Sequence, residues 1–386
     1  MRIAMVTTVG DRCGIAAYSR GLIAGLLTLP GLEIEVVPVT VGRQETAHYV
    51  AQAERLNAPD VDLVHIQHEF SFWGGILPRA SAYWELRYLI KKPVVLTAHT
   101  TNSVAEMFGV RKERRPIKWL AKKLLLLNSR YRDSVEIAPF VTALTIAHTE
   151  EGRSALVARG ANPAFVRVIP SGIPDRAEAP TGGRSFRDRF GLGDRRLITI
   201  FGYLVPSKGY ELTLDVLPRL DPGVRFVIAG GPRNEASERY AAELRHEIEK
   251  RGLQDRVTIT GILADDEIPE AMAASEIVLA PHTLATGSYS VTIPISQGRP
   301  IIASDLACFR EINARVPCLE LFRAGDAEDY GRRIEALLAD EERRSQLSSA
   351  AREYARRTSW PKVAELTRDA YAAAISAYGR PEIGLA

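Results

Sequence analysis

The stretch Phe201-Gly202-Tyr203-Leu204-Val205-Pro206-Ser207-Lys208-Gly209 follows an apolar run, Leu197 to Phe201, and carries one lysine in a Gly/Pro turn. That order predicts a strand, a loop of phosphate size and a helix start, with Lys208 over the carboxyl edge of a sheet. A lone ammonium there neutralises phosphate as a point charge. After the first apolar run, Val9-Gly10-Asp11-Arg12-Cys13-Gly14-Ile15 opens a helix. Gly14 lets backbone approach an anion, and the free N–H groups of a helix start carry partial positive charge. A third loop, Thr286-Gly287-Ser288-Tyr289-Ser290-Val291, opens another helix with hydroxyls beside its N–H groups. An ordinary N-cap would explain Ser288 but not the whole run. One lysine and two helix N-termini suit a diphosphate, which they can stabilise as a leaving group without a metal.

Two further strands end in Gln67-His68-Glu69-Phe70 and Ala98-His99-Thr100-Thr101-Asn102. His99, followed by hydroxyl and amide side chains, suits a polyol. His68 reads equally as a histidine merely hydrogen-bonded at a strand end. In Gly261-Ile262-Leu263, backbone polar groups could meet a nucleobase, and a plain connector fits as well; Ala229-Gly230-Gly231-Pro232 reads as a tight turn. Several chemistries are disfavoured. His65 and His68 match neither HExxH nor HxxEH, and on a strand they point to opposite faces, so no zinc site is expected. GxGxxG and GxSxG are absent, and no Asp-x-Asp pair ends a strand. Glu69 is the one strand-end carboxylate of the first half with a view of a cleft, which argues against a two-carboxylate glycosidase.

The elements that must position these residues come as two strand/helix alternations. Ile3 to Val6, Glu33 to Val39, Val61 to Ile66, Val94 to Ala98, Ala143 to Ala147 and Val166 to Ile169 are the strands expected in the first half. Leu197 to Phe201, Val224 to Ala229, Arg256 to Thr260, Ile277 to Ala280 and Ile301 to Ser304 are those of the second, with helices at Ser237 to Arg251 and Asp265 to Ala274. Consecutive apolar positions fit parallel strands covered on both faces. The expected fold is α/β, with two doubly wound, Rossmann-like domains facing across a cleft. Residues 1–172 would form the first domain, 173–196 a Gly/Pro-rich linker, 197–358 the second domain, and 359–386 a helix and tail returning to the first. Trp360-Pro361 marks the start of that last helix.

Composition fits this reading. The 386 residues exceed one ordinary core, and 46% hydrophobic with 25% charged residues describes a soluble globular chain. A net charge of +3 does not call for nucleic acid. Cys13, Cys308 and Cys318 are scattered, as in a reducing compartment. Without a signal-peptide pattern or an apolar run of ~18 residues, a cytoplasmic protein is expected.

Taken in order, Cys13-Gly14-Ile15-Ala16 with Tyr18, VHIQHEF, VLTAHT, VIPSGIP, FGYLVPSKG, GLQDRV and QGRPIIASD resemble the family-4 retaining glycosyltransferases of GT-B fold. The resemblance implies a nucleotide-diphospho-sugar donor of UDP or GDP type, held mainly by the C-terminal domain. It implies an acceptor, carbohydrate or lipid-linked, held mainly by the N-terminal domain, transfer with retention, and no metal or other cofactor. By position, His99 and Lys208 resemble the catalytic pair: the histidine beside the transferred sugar and the lysine on the leaving diphosphate. Gly14, Ser288, Tyr289 and Ser290 resemble the other diphosphate contacts. Beside them, Gly202, Gly230, Ile262 and Leu263 are expected to meet the nucleoside, and His68, Glu69 and Thr100 the sugar or acceptor. No protein base is obligatory, since a donor phosphate oxygen can take the acceptor proton on the same face. Two departures stand out. Ala285 and Ile293 occupy the positions of the paired glutamates found in many members, and Tyr203 and Val205 stand where an arginine often precedes the lysine. Two alternatives are weighed: a catalytically silent partner subunit, which the missing glutamates favour and the retained His99 and Lys208 oppose, and a sugar-nucleotide epimerase, which would be expected to show acidic residues around the sugar, so that Ala285 and Ile293 count against it.

Between Arg111 and Arg132 stand nine Lys/Arg and one acidic residue. Ile117, Leu120, Leu124 and Leu127 have helical spacing and are expected to face the core, with Lys118, Lys122, Lys123 and Trp119 as a basic rim. That rim reads either as a solvated helix face or as a patch for anionic lipid or a charged acceptor. The lipid reading would place the protein peripherally on the inner face of the cell membrane.

Overall fold

The computed structural model describes residues 1–10, 13–42, 45–73, 83–103, 116–128, 138–285 and 289–378. The chain divides into two compact units, Met1–Gly172 with Trp360–Ala386, and Ile173–Ser359.

In the first unit, β1 (Arg2–Thr7), β2 (Glu33–Pro38), β3 (Leu63–His68), β4 (Val94–Ala98), β5 (Leu144–Ala147) and β6 (Val166–Val168) form one sheet in the order β2-β1-β3-β4-β5-β6. Every pairing is parallel. β3, β4 and β5 are buried along their whole length, so their apolar runs do not alternate. The order reverses between β1 and β3, which makes the carboxyl ends of these strands the switch point where doubly wound sheets take ligands.

The last helix, Trp360–Ala377, packs on the first, Gly14–Leu27. Two glycines make that contact close. A Cβ at Gly21 would lie 2.2 Å from the Trp360 ring, and one at Gly172 would lie 2.3 Å from it. The chain therefore leaves this unit at Gly172 and re-enters it at Trp360 beside the same indole.

In the second unit, β7 (Arg196–Phe201), β8 (Val224–Ala229), β9 (Val257–Ile259), β10 (Ile277–Ala280), β11 (Ile301–Ser304) and β12 (Leu319–Phe322) form a second parallel sheet, ordered β12-β11-β10-β7-β8-β9. Counted from its own first strand this is the 3-2-1-4-5-6 order, and its switch point lies between β7 and β10. Apolar side chains cover both faces of this sheet in two clusters.

Residues 173–196 are built into this unit. Phe186 and Leu192 are buried in its core, and the Glu270 carboxylate accepts from Thr181 N at 2.9 Å, Thr181 Oγ1 at 2.5 Å and Gly183 N at 2.6 Å. Ile173 N donates to Thr358 O at 2.8 Å, tying the start of the unit to its end. The strand β12 escapes the apolar-run reading because Glu320 interrupts it; as an edge strand it turns that carboxylate outward to Arg333 and Arg343.

The helix Pro116–Leu126 corrects one expectation. Ile117, Leu120, Leu124 and Leu127 are 83%, 53%, 59% and 79% exposed, so they do not face the core. An amphipathic stripe fixes which face of a helix is apolar, not what covers it. The Lys123 ammonium sits 4.5 Å from the centre of the Trp119 ring, and the rest of the span 111–132 lies partly outside the described residues.

Candidate functional site

Each unit carries one cluster at the carboxyl edge of its sheet. In the second unit the cluster is made chiefly of backbone. Gly202, at φ 111°, follows β7, and its carbonyl lies where a Cβ on Gly230 would come within 1.9 Å. Gly202 N donates to Ala229 O at 3.1 Å and Leu204 N to Gly231 O at 3.1 Å, zipping the β7 and β8 loops together. A Cβ on Gly231 would meet Ile262 N at 2.8 Å. Gly202, Gly230 and Ile262 are thus brought together by approaches that side chains would block, while Leu263 is buried in the core below. Ile262 is 43% exposed above them.

The lysine loop is fixed by a second contact. Pro206–Lys208 forms one short 3-10 turn, and Gly209 follows at φ 72°, with Pro281 O 2.0 Å from where its Cβ would be. Thr283 N donates to Ser207 O at 2.9 Å. These contacts join the loops after β7 and β10 across the switch point. Lys208 is 7% exposed, and its Nζ donates to Phe201 O at 2.9 Å. Burial pulls the ammonium down to about 7, which loosens its hold on the proton. His282, also buried, is held down to about 3, first by burial and then by the Lys208 charge. An incoming anion would favour the charged lysine.

Of the third loop, Thr286, Gly287 and Ser288 lie outside the described residues, as do the side chains of Tyr289 and Ser290. The helix Tyr289–Ser296 begins where the sequence places it. Ala285 and Ile293, at the positions of the paired carboxylates, pack on the apolar core. Sequence reasoning missed Arg233. Its guanidinium lies 5.7 Å from the centre of the Tyr203 ring, bringing a cation from the β8 loop to the lysine loop; the signal was its place just after Gly230-Gly231-Pro232.

In the first unit the cluster is made of side chains. His99 follows β4 and is partly buried; its ring lies edge-on to Tyr18 at 4.9 Å and 5.3 Å from His148. Gln67 on β3, fully buried, lies with its Oε1 2.8 Å from His99 Nε2. A carbonyl oxygen only accepts, so His99 carries its proton on Nε2 and leaves Nδ1 as an acceptor. The Gln67 amide nitrogen lies 3.2 Å from His65 Nε2, which makes that nitrogen an acceptor. His65 then donates from Nδ1 to Tyr371 Oη at 2.7 Å, on the last helix. This buried chain, Tyr371–His65–Gln67–His99, fixes the tautomer of His99. Burial, and after it His148, His65 and His68, hold His99 well below its ordinary value, so it stays neutral. Neither Gln67 nor Tyr371 was singled out from sequence. Only Gln67, between two histidines in a strand-end segment, offered a signal.

Around His99 the placements differ. Thr100 donates to Glu69 at 2.5 Å, so these two candidates meet. Arg159 donates to the carbonyls of Thr101 and Asn102, holding the His99 loop against the helix Glu150–Ala158. His68 does not join them: its ring is 1% exposed and edge-on to Phe70, Tyr83 and Phe140. As β3 alternates, His65 and His68 occupy opposite faces. Gly14 opens the first helix, and a Cβ there would meet nothing within 4 Å. Among the described residues the space beside the helix N-terminus is open, and no neighbour demands glycine.

Two parallel six-stranded sheets of this kind define the GT-B fold. Solved structures bear this out: an Anabaena protein, Alr3699/HepE, crystallised with UDP and glucose, superposes at TM-score 0.72 with 16% identity, over 97% of this chain and 100% of that one. Sucrose-phosphate synthase from Thermosynechococcus elongatus does so at 0.73 with 16% identity, over 98% and 100%. Residues 184–354, most of the second unit, match the family described as Glycosyl transferases group 1. Among curated relatives, a D-inositol 3-phosphate glycosyltransferase of Stackebrandtia nassauensis is 27% identical over 56% of this chain and 50% of its own length. A 2-deoxystreptamine glucosyltransferase of Streptomyces kanamyceticus is 28% identical over 72% of this chain and 68% of its own. The chain thus spans about half the length of the first of these relatives. No helix of the described residues is long and apolar enough to cross a membrane.

Proposed function

We propose that this chain is a retaining glycosyltransferase, moving a sugar from a nucleotide-diphospho-sugar of UDP or GDP type to an acceptor hydroxyl without a metal. The observation that carries the reading is Lys208: a buried ammonium at a switch point, next to backbone opened by Gly202 and Gly230, inside the stretch that matches the glycosyltransferase family. In this reading Lys208 neutralises the leaving diphosphate, the Gly202, Gly230 and Ile262 surface receives the nucleoside, and the start of the helix Tyr289–Ser296 meets the distal phosphate. His99, neutral and protonated on Nε2, accepts a sugar hydroxyl on Nδ1. Glu69 and Thr100 take part in holding the acceptor, a carbohydrate or lipid-linked hydroxyl compound. A donor phosphate oxygen takes the acceptor proton. The apolar Ala285 and Ile293 leave the ribose and sugar to be held by other groups. The named relatives are transferases, which counts against a silent subunit or an epimerase.

The exposed apolar face of the helix Pro116–Leu126, with Lys123 and its basic neighbours, supports a further element of the same reading: docking on an anionic lipid surface near a lipid-linked acceptor. Co-sedimentation with anionic but not neutral vesicles is expected, and equal absence from both would remove it. Thermal-shift screening against UDP-, GDP- and ADP-sugars tests the central reading. One nucleotide class should stabilise the protein, and no response to any of them would refute it.

A further inference from the structure

The amino edge of the second sheet, opposite the edge that carries Lys208, gathers three arginines. The helix Tyr289–Ser296 runs from the carboxyl end of β10 back towards the start of β11, so Arg299, just before β11, stands at the far end of the sheet from Lys208. Gly298 turns the chain at φ 62°, and a Cβ there would lie 2.9 Å from Arg352 Nη1 and 3.0 Å from its Cγ. Arg352, on the helix Glu341–Arg357, therefore lays its stem along Gly298, beside Arg299. Arg176 arrives from the other side. In the orientation that satisfies both its atoms, the Gln297 amide donates to Ala177 O at 3.1 Å and accepts from Ala177 N at 3.0 Å. That double bond seats the segment around Arg176 against the Gln297–Arg299 turn.

Three arginines thus come near one turn, close enough for the charges of Arg176 and Arg352 to act on Arg299, and none of the three joins an ion pair among the described residues. Several arginines of this unit are paired with carboxylates, among them Arg196 with Glu276, Arg343 with Glu320 and Arg357 with Glu353, while Arg225 and Arg256 bond to backbone carbonyls. Here Arg352 bonds to Ser349 Oγ at 3.1 Å, and Arg299 reaches Ala273 O with Nη1 at 3.5 Å. The buried Nε of Arg299 has no partner. Asp175 and Glu178, next along the chain from Arg176, are exposed and join no ion pair among the described residues. Burial first, and then the charges of Arg176 and Arg352, lower Arg299 from its ordinary value. A buried donor left unsatisfied beside two like charges is an unfavourable arrangement that an oxyanion reverses, because guanidinium groups bind phosphate oxygens through paired N–H bonds.

We propose that Arg176, Arg299 and Arg352 form an oxyanion site, separate from the edge that carries Lys208, which takes the phosphate group of a soluble phosphorylated ligand or of a lipid headgroup. Arg176 and Arg352 are exposed, so replacing them leaves the core intact. The test uses the full chain carrying Lys208→Ala, which weakens phosphate binding at the opposite edge by removing its buried cation. Titration calorimetry with inorganic phosphate at fixed ionic strength should show one site, and adding Arg176→Ala with Arg352→Ala should lower its affinity at least tenfold. Sedimentation with phosphatidylglycerol vesicles separates the sources. A loss of vesicle binding on the same two replacements assigns the site to a headgroup, and a loss confined to inorganic phosphate assigns it to a soluble ligand. Phosphate binding absent from the Lys208→Ala protein, or equal with and without the two arginines, overturns the proposal. The outcome does not depend on glycosyl transfer, since no donor is present.

Discussion

The two candidate clusters sit at equivalent edges of two doubly wound sheets, yet they are made of different material. In the second unit, glycines let main chain approach main chain, and a single buried cation stands over the result. In the first unit, bulky polar side chains interlock around His99, and one of them comes from the last helix of the chain. A backbone surface is sequence-tolerant wherever side chains point away, but it fails at its glycines. A side-chain relay can be tuned one residue at a time. Under the proposed function, this division suits a loop that must grip a common diphosphate and a histidine that must be oriented towards a sugar hydroxyl.

The largest effect expected from this contrast is at Gly209. Gly209→Ala combines a left-handed backbone with a Cβ 2.0 Å from Pro281 O, and should destabilise the second unit by about 3 kcal/mol in denaturant unfolding. Gly14→Ala, with open space at its Cβ, should change stability by less than about 0.5 kcal/mol. Equal losses at the two positions would erase the distinction between a built backbone surface and an open helix start. Next comes Lys208→Ala, which should cost ~1.5–3 kcal/mol of nucleotide-diphosphate affinity through loss of a charged contact. Gln67→Leu should act more gently and in the other unit. Removing the acceptor for His99 Nε2–H should lower turnover several-fold, for ~1 kcal/mol, while nucleotide affinity stays unchanged. The signature is spectroscopic: the nitrogen resonances of His99 should move away from a pure Nε2–H tautomer, and an unmoved tautomer would show that Gln67 does not set it.

These contrasts also explain what could be read from the sequence. Strands such as Val94–Ala98 and Val224–Ala229 announced themselves because both faces are covered, which leaves an unbroken apolar run. Gly202, Gly230 and Lys208 were visible as punctuation at strand ends. The strand Leu319–Phe322 was hidden because an edge strand can afford an outward Glu320. The relay to His99 was hidden for a different reason: Tyr371 lies 306 residues from His65, and no local pattern encodes such a pairing. The stripe Ile117, Leu120, Leu124 and Leu127 had the right period for a helix, yet periodicity does not say what lies against it.

Lys208 is the proposed diphosphate cation. Its buried ammonium, held at about 7, should be drawn into the charged form by a bound diphosphate. Because binding favours the protonated lysine, affinity should fall as pH rises above that value and proton uptake should accompany binding. Calorimetry of UDP and GDP binding at about pH 8, in buffers of different ionisation enthalpy, measures that uptake. For the preferred nucleotide, uptake should approach one proton in the natural chain and none in Lys208→Ala. Binding with no buffer dependence, and of equal strength in both proteins, would contradict it.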